Sequence, residues 1–141
     1  GRAVVHCGDL PAGTHMKLVI NLMLGNLMQT LAEGLSLGRA LELDPHQVLE
    51  AIGGGPLGAP LFQLKGQKML AGDFGKQFPV DLLFKDLNLV QDTAGKVRQP
   101  LPQTAATREA VSTARAMGHG EEDMAALIRV LEQVTGREVR G

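Results

Sequence analysis

The 141 residues are 44% hydrophobic, with 14 Lys and Arg against 15 Asp and Glu. That is enough apolar side chain to bury a core of single-domain size, and too balanced a charge to favour a nucleic-acid or anionic-membrane partner. Phe is the only aromatic, with Trp and Tyr absent, and Cys7 is the only cysteine, which removes stacking platforms for bases, tyrosine as a proton donor and an internal disulfide.

Taken in chain order, Ala3-Val4-Val5-His6-Cys7 reads as a short strand bounded by Gly1 and by Gly8-Asp9-Leu10-Pro11, though a lone strand has nothing to pair with. From about Gly13 to Leu43 a helical pattern runs unbroken for roughly eight turns, with Gly25, Gly34 and Gly38 as expected close-packing positions. Its most apolar part, Met16 to Leu31, is interrupted by Lys17, Asn21, Gly25, Asn26 and Gln29, and no membrane span is expected there. Asp44-Pro45-His46-Gln47 places a capping acid before Pro at the first helical position and opens a helix to about Ile52. Further helices are predicted over Pro60 to Leu70, Val80 to Gly95, Pro102 to Met117 and Glu121 to Val134, separated by Gly- and Pro-rich punctuation and followed by a polar tail from Thr135 to Gly141. The fold class expected from this order is all-α, built around one long central helix, with a residual N-terminal strand. The start of the chain has neither a secretory n-region nor a long h-region, and with one cysteine the expected compartment is the cytoplasm.

Gly53, Gly55 and Gly58 match the G-x-G-x-x-G spacing of a dinucleotide-binding loop, with Asp73 at about the distance of a ribose-binding acid. The context rejects the match. Such a loop follows a strand and opens a helix, so that backbone amides meet the pyrophosphate, whereas Gln47 to Ile52 reads as helix. Four histidines and one cysteine without ligand spacing give no metal site.

The informative feature lies near the start of the long helix. Lys17 and Asn21 stand four residues apart and share a face among Met16, Leu18, Val19, Ile20, Leu22, Met23 and Leu24, and Gly25 continues that stripe without a side chain. One reading is a lysine that lays its methylenes on apolar surface and keeps its ammonium in water, with Asn21 bonded to a neighbour. The other is an ammonium on an apolar wall, where desolvation would suit it to acid–base work.

Gly8, Gly13, Lys17 and Asn21 in GDLPAGTHMKLVIN resemble the G-x-x-G-x-G-x-x-x-K-x-x-x-N segment of the β-hydroxyacid dehydrogenases, the family of 3-hydroxyisobutyrate dehydrogenase and tartronate semialdehyde reductase. Leu31-Ala32-Glu33-Gly34-Leu35-Ser36-Leu37 resembles the continuation of that helix. Gly72-Asp73-Phe74 with Phe78 and Leu82-x-x-Lys85-Asp86-Leu87 is similar to the family's F-x-x-x-L-x-x-K-D-L segment, and Gly118-His119-Gly120-Glu121-Glu122-Asp123 to its G-x-G-x-x-D turn. The four segments occur in the family's order and span nearly the whole chain.

The resemblance implies an enzyme that pairs an N-terminal Rossmann domain with a C-terminal helical domain and interconverts a small β-hydroxy acid and its semialdehyde or keto acid, using NAD or NADP. It implies Lys17 as the catalytic lysine, Asn21 as a substrate-holding residue, and Lys85 and Phe78 as residues facing the cofactor. Asp86 is a weaker carry-over, with a purely structural pairing as its alternative. Residues 1–10 would be the last strand and linker of a Rossmann domain otherwise missing from this chain, 11–135 the catalytic and oligomerisation domain, and 136–141 a tail. The chain by itself is then expected to be inactive, and a homo-oligomer, dimer or tetramer, is implied. Pro11 stands where the family often has Gly, stiffening the turn, and Ile20 stands where the related 6-phosphogluconate dehydrogenases carry His, which disfavours a phosphorylated sugar acid. The competing class is a helical dimerisation module without chemistry, since a helix apolar nearly all round must be buried against something.

Overall fold

The computed structural model describes residues 4–140. Its helices are α1 (Ala12–Ala40), α2 (Pro45–Gly54), α3 (Pro60–Ala71), α4 (Val80–Lys96), α5 (Pro102–Ala116) and α6 (Leu127–Thr135), the last entered through a 3-10 turn at Met124–Ala126. The all-α expectation holds. Within the described part of the predicted strand, residues 4–7 form no β pairing, and Val4 and Val5 lie exposed; Ala3 falls outside the described residues. An extended segment becomes a strand only when a neighbour takes up its backbone groups.

α1 is the axis of the domain and packs against each of the other five helices. Met28, Leu31, Ala32 and Leu35 repeat at the i, i+3, i+4, i+7 spacing that puts apolar side chains on one helical face, and all four are buried. Leu83, Leu87, Val90 and Ala94 supply the matching stripe of α4, while Val111 and Ala114 of α5 and Leu127 and Ile128 of α6 close the core. Each fully buried leucine or isoleucine contributes about 2 kcal/mol relative to exposure. By length and hydropathy α1 is long and apolar enough to cross a membrane, contrary to what its polar interruptions led one to expect. Its C-terminal half is instead the central core helix, the only part of it that carries a continuous buried stripe.

The glycines of α1 divide in a way that spacing did not show. At Gly25 an added Cβ would lie 3.0 Å from a methyl of Leu87 and 3.4 Å from one of Leu83, and at Gly38 it would lie 3.1 Å from Val48. These two are close-packing positions; Gly34 is not, since nothing lies within 4 Å of its Cβ site. The space left by Gly25 is filled by α4 leucines, so it does not extend an open lane from Lys17 and Asn21.

Asp44 caps α2 as predicted, its carboxylate accepting from the His46 amide at 2.8 Å, with Pro45 at the first helical position. Asp44→Ala is expected to lower stability by about 1 kcal/mol, read as a shift in the urea midpoint at unchanged slope. Gly53 and Gly54 end α2 and Gly58 lies in the loop before α3, so the glycine-rich segment follows a helix, as the sequence context required.

The last helix begins at Leu127, not at Glu121. Asp123 is diverted from helix formation: its backbone bridges Pro79, its amide donates to the Phe74 carbonyl, and its side chain accepts from the Ala125 amide. The polar tail is also tied down. Val139 is buried, its amide donating to Glu132 Oε1 at 2.8 Å, and Arg39 donates to the Glu138 carbonyl.

Candidate functional site

The first nine residues of α1, Ala12 to Ile20, include no buried residue. Met16, Val19, Ile20 and Met23 are each about half exposed, and Leu82 and Leu89 on α4 are exposed as well. Between the two helices, His15, Leu18, Val19 and Leu22 face Val90, Thr93, Ala94 and Val97 across an open apolar groove of about 300 Å³.

Lys17 lies on this uncovered part of α1, exposed, with no side-chain partner among the described residues. Asn21, one turn further on, is where the helix enters the core. It is 8% exposed, and its Nδ2 donates to Asp86 Oδ2 of α4 at 2.9 Å, Asp86 being equally buried. That bond fixes the amide, directing the NH2 group to α4 and leaving Oδ1 without a hydrogen-bond partner among the described residues. Asp86 therefore acts on Asn21 as an orienting partner across the α1–α4 interface. Removing one side of a buried hydrogen bond leaves the other unsatisfied at a cost of about 1–3 kcal/mol. Asp86→Ala is accordingly expected to lower the melting temperature and to free the Asn21 amide, both read by thermal unfolding beside the amide's NMR signals.

Lys85 is exposed on α4, beside Asp86 in sequence but turned about 100° around the helix. Phe78 sits half-buried in the loop just before α4 and packs on the core. Among the described residues neither is hydrogen-bonded to Lys17 or Asn21, so the bond that joins predicted site residues is the one between Asn21 and Asp86. One cation and one aromatic ring suit a wall of a dinucleotide site, since phosphate oxygens and an apolar ring face need such groups. No glycine-rich strand-to-helix turn for the pyrophosphate exists among the described residues. A cavity of about 610 Å³, lined by Arg39, Glu42, Arg137, Glu138 and Arg140, lies at the other end of α1, on the order of 33 Å from Lys17 at 1.5 Å per residue. It has no part in this arrangement.

Sequence reasoning missed one polar centre. Lys65 of α3, 4% exposed, places Nζ 2.9 and 2.8 Å from the two carboxylate oxygens of Asp123, which is fully buried. The same carboxylate accepts from the amides of Phe78 and Ala125, each at 3.0 Å, and Lys65 also donates to Gln77 Oε1. Burial on its own would push the Asp123 carboxyl up; Lys65 and the two amides outweigh it and hold the group below the usual carboxylate range. Asp123 was visible as the acid of the G-x-G-x-x-D turn, but nothing in the helical pattern around Lys65 marked it as buried.

Comparison with known proteins agrees with this architecture. Residues 11–131 match the sequence model of the family described as NAD-binding of NADP-dependent 3-hydroxyisobutyrate dehydrogenase. The chain is 41% identical to 2-(hydroxymethyl)glutarate dehydrogenase of Eubacterium barkeri over its whole length and 47% of that protein's. It is 33% identical to the chloroplastic glyoxylate/succinic semialdehyde reductase 2 of Arabidopsis thaliana over 98% of this chain and 38% of that one. A solved 3-hydroxyisobutyrate dehydrogenase from Salmonella typhimurium superimposes with a TM-score of 0.86 at 28% identity, covering 90% of this chain and 45% of that one. The chain thus spans less than half the length of each of these relatives. With its family-model match, its helical order and its similarity to these relatives all in agreement, the chain belongs to the NAD(P)-dependent β-hydroxyacid dehydrogenase family.

Proposed function

We propose that this chain is the helical half of a dehydrogenase that interconverts a small β-hydroxy acid and its semialdehyde or keto acid, with Lys17 as proton donor and acceptor. The observation that carries the proposal is the uncovered start of α1. Lys17 stands there one turn before an Asn21 that Asp86 holds in a fixed orientation, on an apolar face that has nothing to cover it within the described residues. The covering half would be a Rossmann domain, and its closure would take Lys17 out of water.

In this reading the nicotinamide of NAD or NADP supplies or takes up the hydride when bound. Lys17 gives a proton to the carbonyl oxygen in reduction and takes one from the hydroxyl in oxidation. Asn21, its NH2 group engaged by Asp86, offers Oδ1 to a substrate hydroxyl and helps hold the reacting carbon near Lys17. Lys85 and Phe78 form the helical wall of the cofactor site, and the compartment is cytoplasmic. The same exposed apolar face and groove favour a second reading, a helical dimerisation module that retains the family fold without its chemistry.

The two readings separate in one experiment. The full-length protein is expected to reduce NAD+ or NADP+ with a β-hydroxy acid, while the 141 residues alone show no turnover because positioning of the nicotinamide is lost. Absence of both turnover and nicotinamide binding in the full-length protein, across a panel of short β-hydroxy acids, would leave the dimerisation module as the function. Robust turnover by the isolated chain would overturn the division of labour proposed here.

A further inference from the structure

The loop from Phe74 to Pro79 has no regular structure of its own, yet it delivers Phe78 and the start of α4 to a defined place. Its backbone groups are taken up by the turn that precedes α6. The Phe78 amide donates to Asp123 Oδ2 at 3.0 Å and the Phe78 carbonyl accepts from the Met124 amide at 2.8 Å. Immediately beyond, the Val80 amide donates to the Glu122 carbonyl and the Asp81 amide to the Gly120 carbonyl, both at 2.9 Å. In this way the open amides at the α4 N-terminus are satisfied without a side-chain cap.

Asp123 is the junction of this arrangement. Its carboxylate accepts from two backbone amides and from both approaches of the Lys65 ammonium, and no part of it reaches solvent. A buried ion pair is a poor device for stability as such, because well-packed apolar residues of similar volume do as well or better. What the ionised carboxylate offers is a directional acceptor that binds loop amides more strongly than a neutral group can. The lysine is what makes its burial tolerable. An apolar pair could fill the space but could not hold the Phe78 amide.

We infer that Lys65 and Asp123 are positioning residues for the cofactor-facing edge of the domain: their buried pair holds the Phe78 backbone and, with it, the start of α4 that carries Lys85 and Asp86. The inference rests on the reading of Phe78 given under Proposed function and adds to it two residues that touch neither substrate nor cofactor.

The test is the dissociation constant of NADH and of NADPH for the full-length protein, measured by titration calorimetry beside thermal melting, on Phe78→Ala, Asp123→Asn and the core truncation Leu35→Ala. Asp123→Asn keeps the shape but turns an NH2 group toward a donor. It is expected to weaken binding of the preferred cofactor roughly tenfold, the worth of one buried hydrogen bond. Phe78→Ala should weaken it by at least as much, while Leu35→Ala lowers the melting temperature and leaves the dissociation constant within twofold. If Phe78→Ala weakens binding and Asp123→Asn does not, the positioning role is wrong and the reading of Phe78 stands. If Phe78→Ala leaves binding unchanged, the reading of Phe78 fails and takes the positioning role with it. Should Asp123→Asn not fold, Lys65→Arg, which keeps the charge but alters its reach, is read in the same way: weaker cofactor binding supports the role, and an unchanged constant overturns it.

Discussion

Replacing Lys17 by Met in the full-length protein is expected to lower kcat for hydroxy-acid oxidation by roughly 10²–10⁴ while leaving the melting temperature within a degree or so. Met keeps much of the length and the apolar stem of lysine and removes only the group that can carry a proton. Folding should be indifferent, because Lys17 is exposed on α1 and no described side chain depends on it. Lys17→Arg should be nearly as damaging, since a guanidinium stays charged at working pH and has no lone pair with which to accept the hydroxyl proton. A lysine that merely lies on the surface would make both substitutions almost neutral in rate and in stability. Turnover and melting measured together on both variants decide the matter, and near-normal rates would remove Lys17 from the chemistry.

The largest effect on stability is expected from Lys65→Met. Removing one partner of a buried pair strands the other charge, at a cost of about 3–5 kcal/mol, and here the stranded group is the fully buried carboxylate of Asp123. The cost should depend on pH. In the wild-type protein the folded Asp123 titrates below its unfolded counterpart, so its contribution is complete above the unfolded value, about 3.9, and is lost as the pH falls through the lower folded one. In Lys65→Met burial dominates and the carboxyl is pushed up, so that it can be protonated and neutral at mildly acid pH. The stability gap between wild type and variant should therefore narrow as the pH is lowered from 7 toward about 4, because the variant escapes its stranded charge first. Urea unfolding across that range measures it. A gap that stays constant with pH would mean that Asp123 is not the group responsible.

By itself the sequence determined the helical class and five of the six helix starts to within a residue or two. These depend on short-range relations that a linear text carries: the unbroken helical pattern from Gly13 to Leu43, the Asp44-Pro45 cap, and proline at the first position of α2, α3 and α5. It also placed Lys17 and Asn21 on a common face, because the α-helix makes four residues nearly one turn. Only the tertiary structure decided which buried polar groups meet. Asn21 finds Asp86 across 65 positions, and Lys65 finds Asp123 across 58; no local periodicity encodes such partners, since each pairing exists only once the helices carrying them have packed. The late start of α6 has the same origin. Glu121 to Asp123 can continue a helix as far as local pattern goes, but the bonds that Asp123 makes to Lys65, Phe78 and Phe74 hold it in an extended conformation against α4, and a residue bound in that way cannot also turn with the helix.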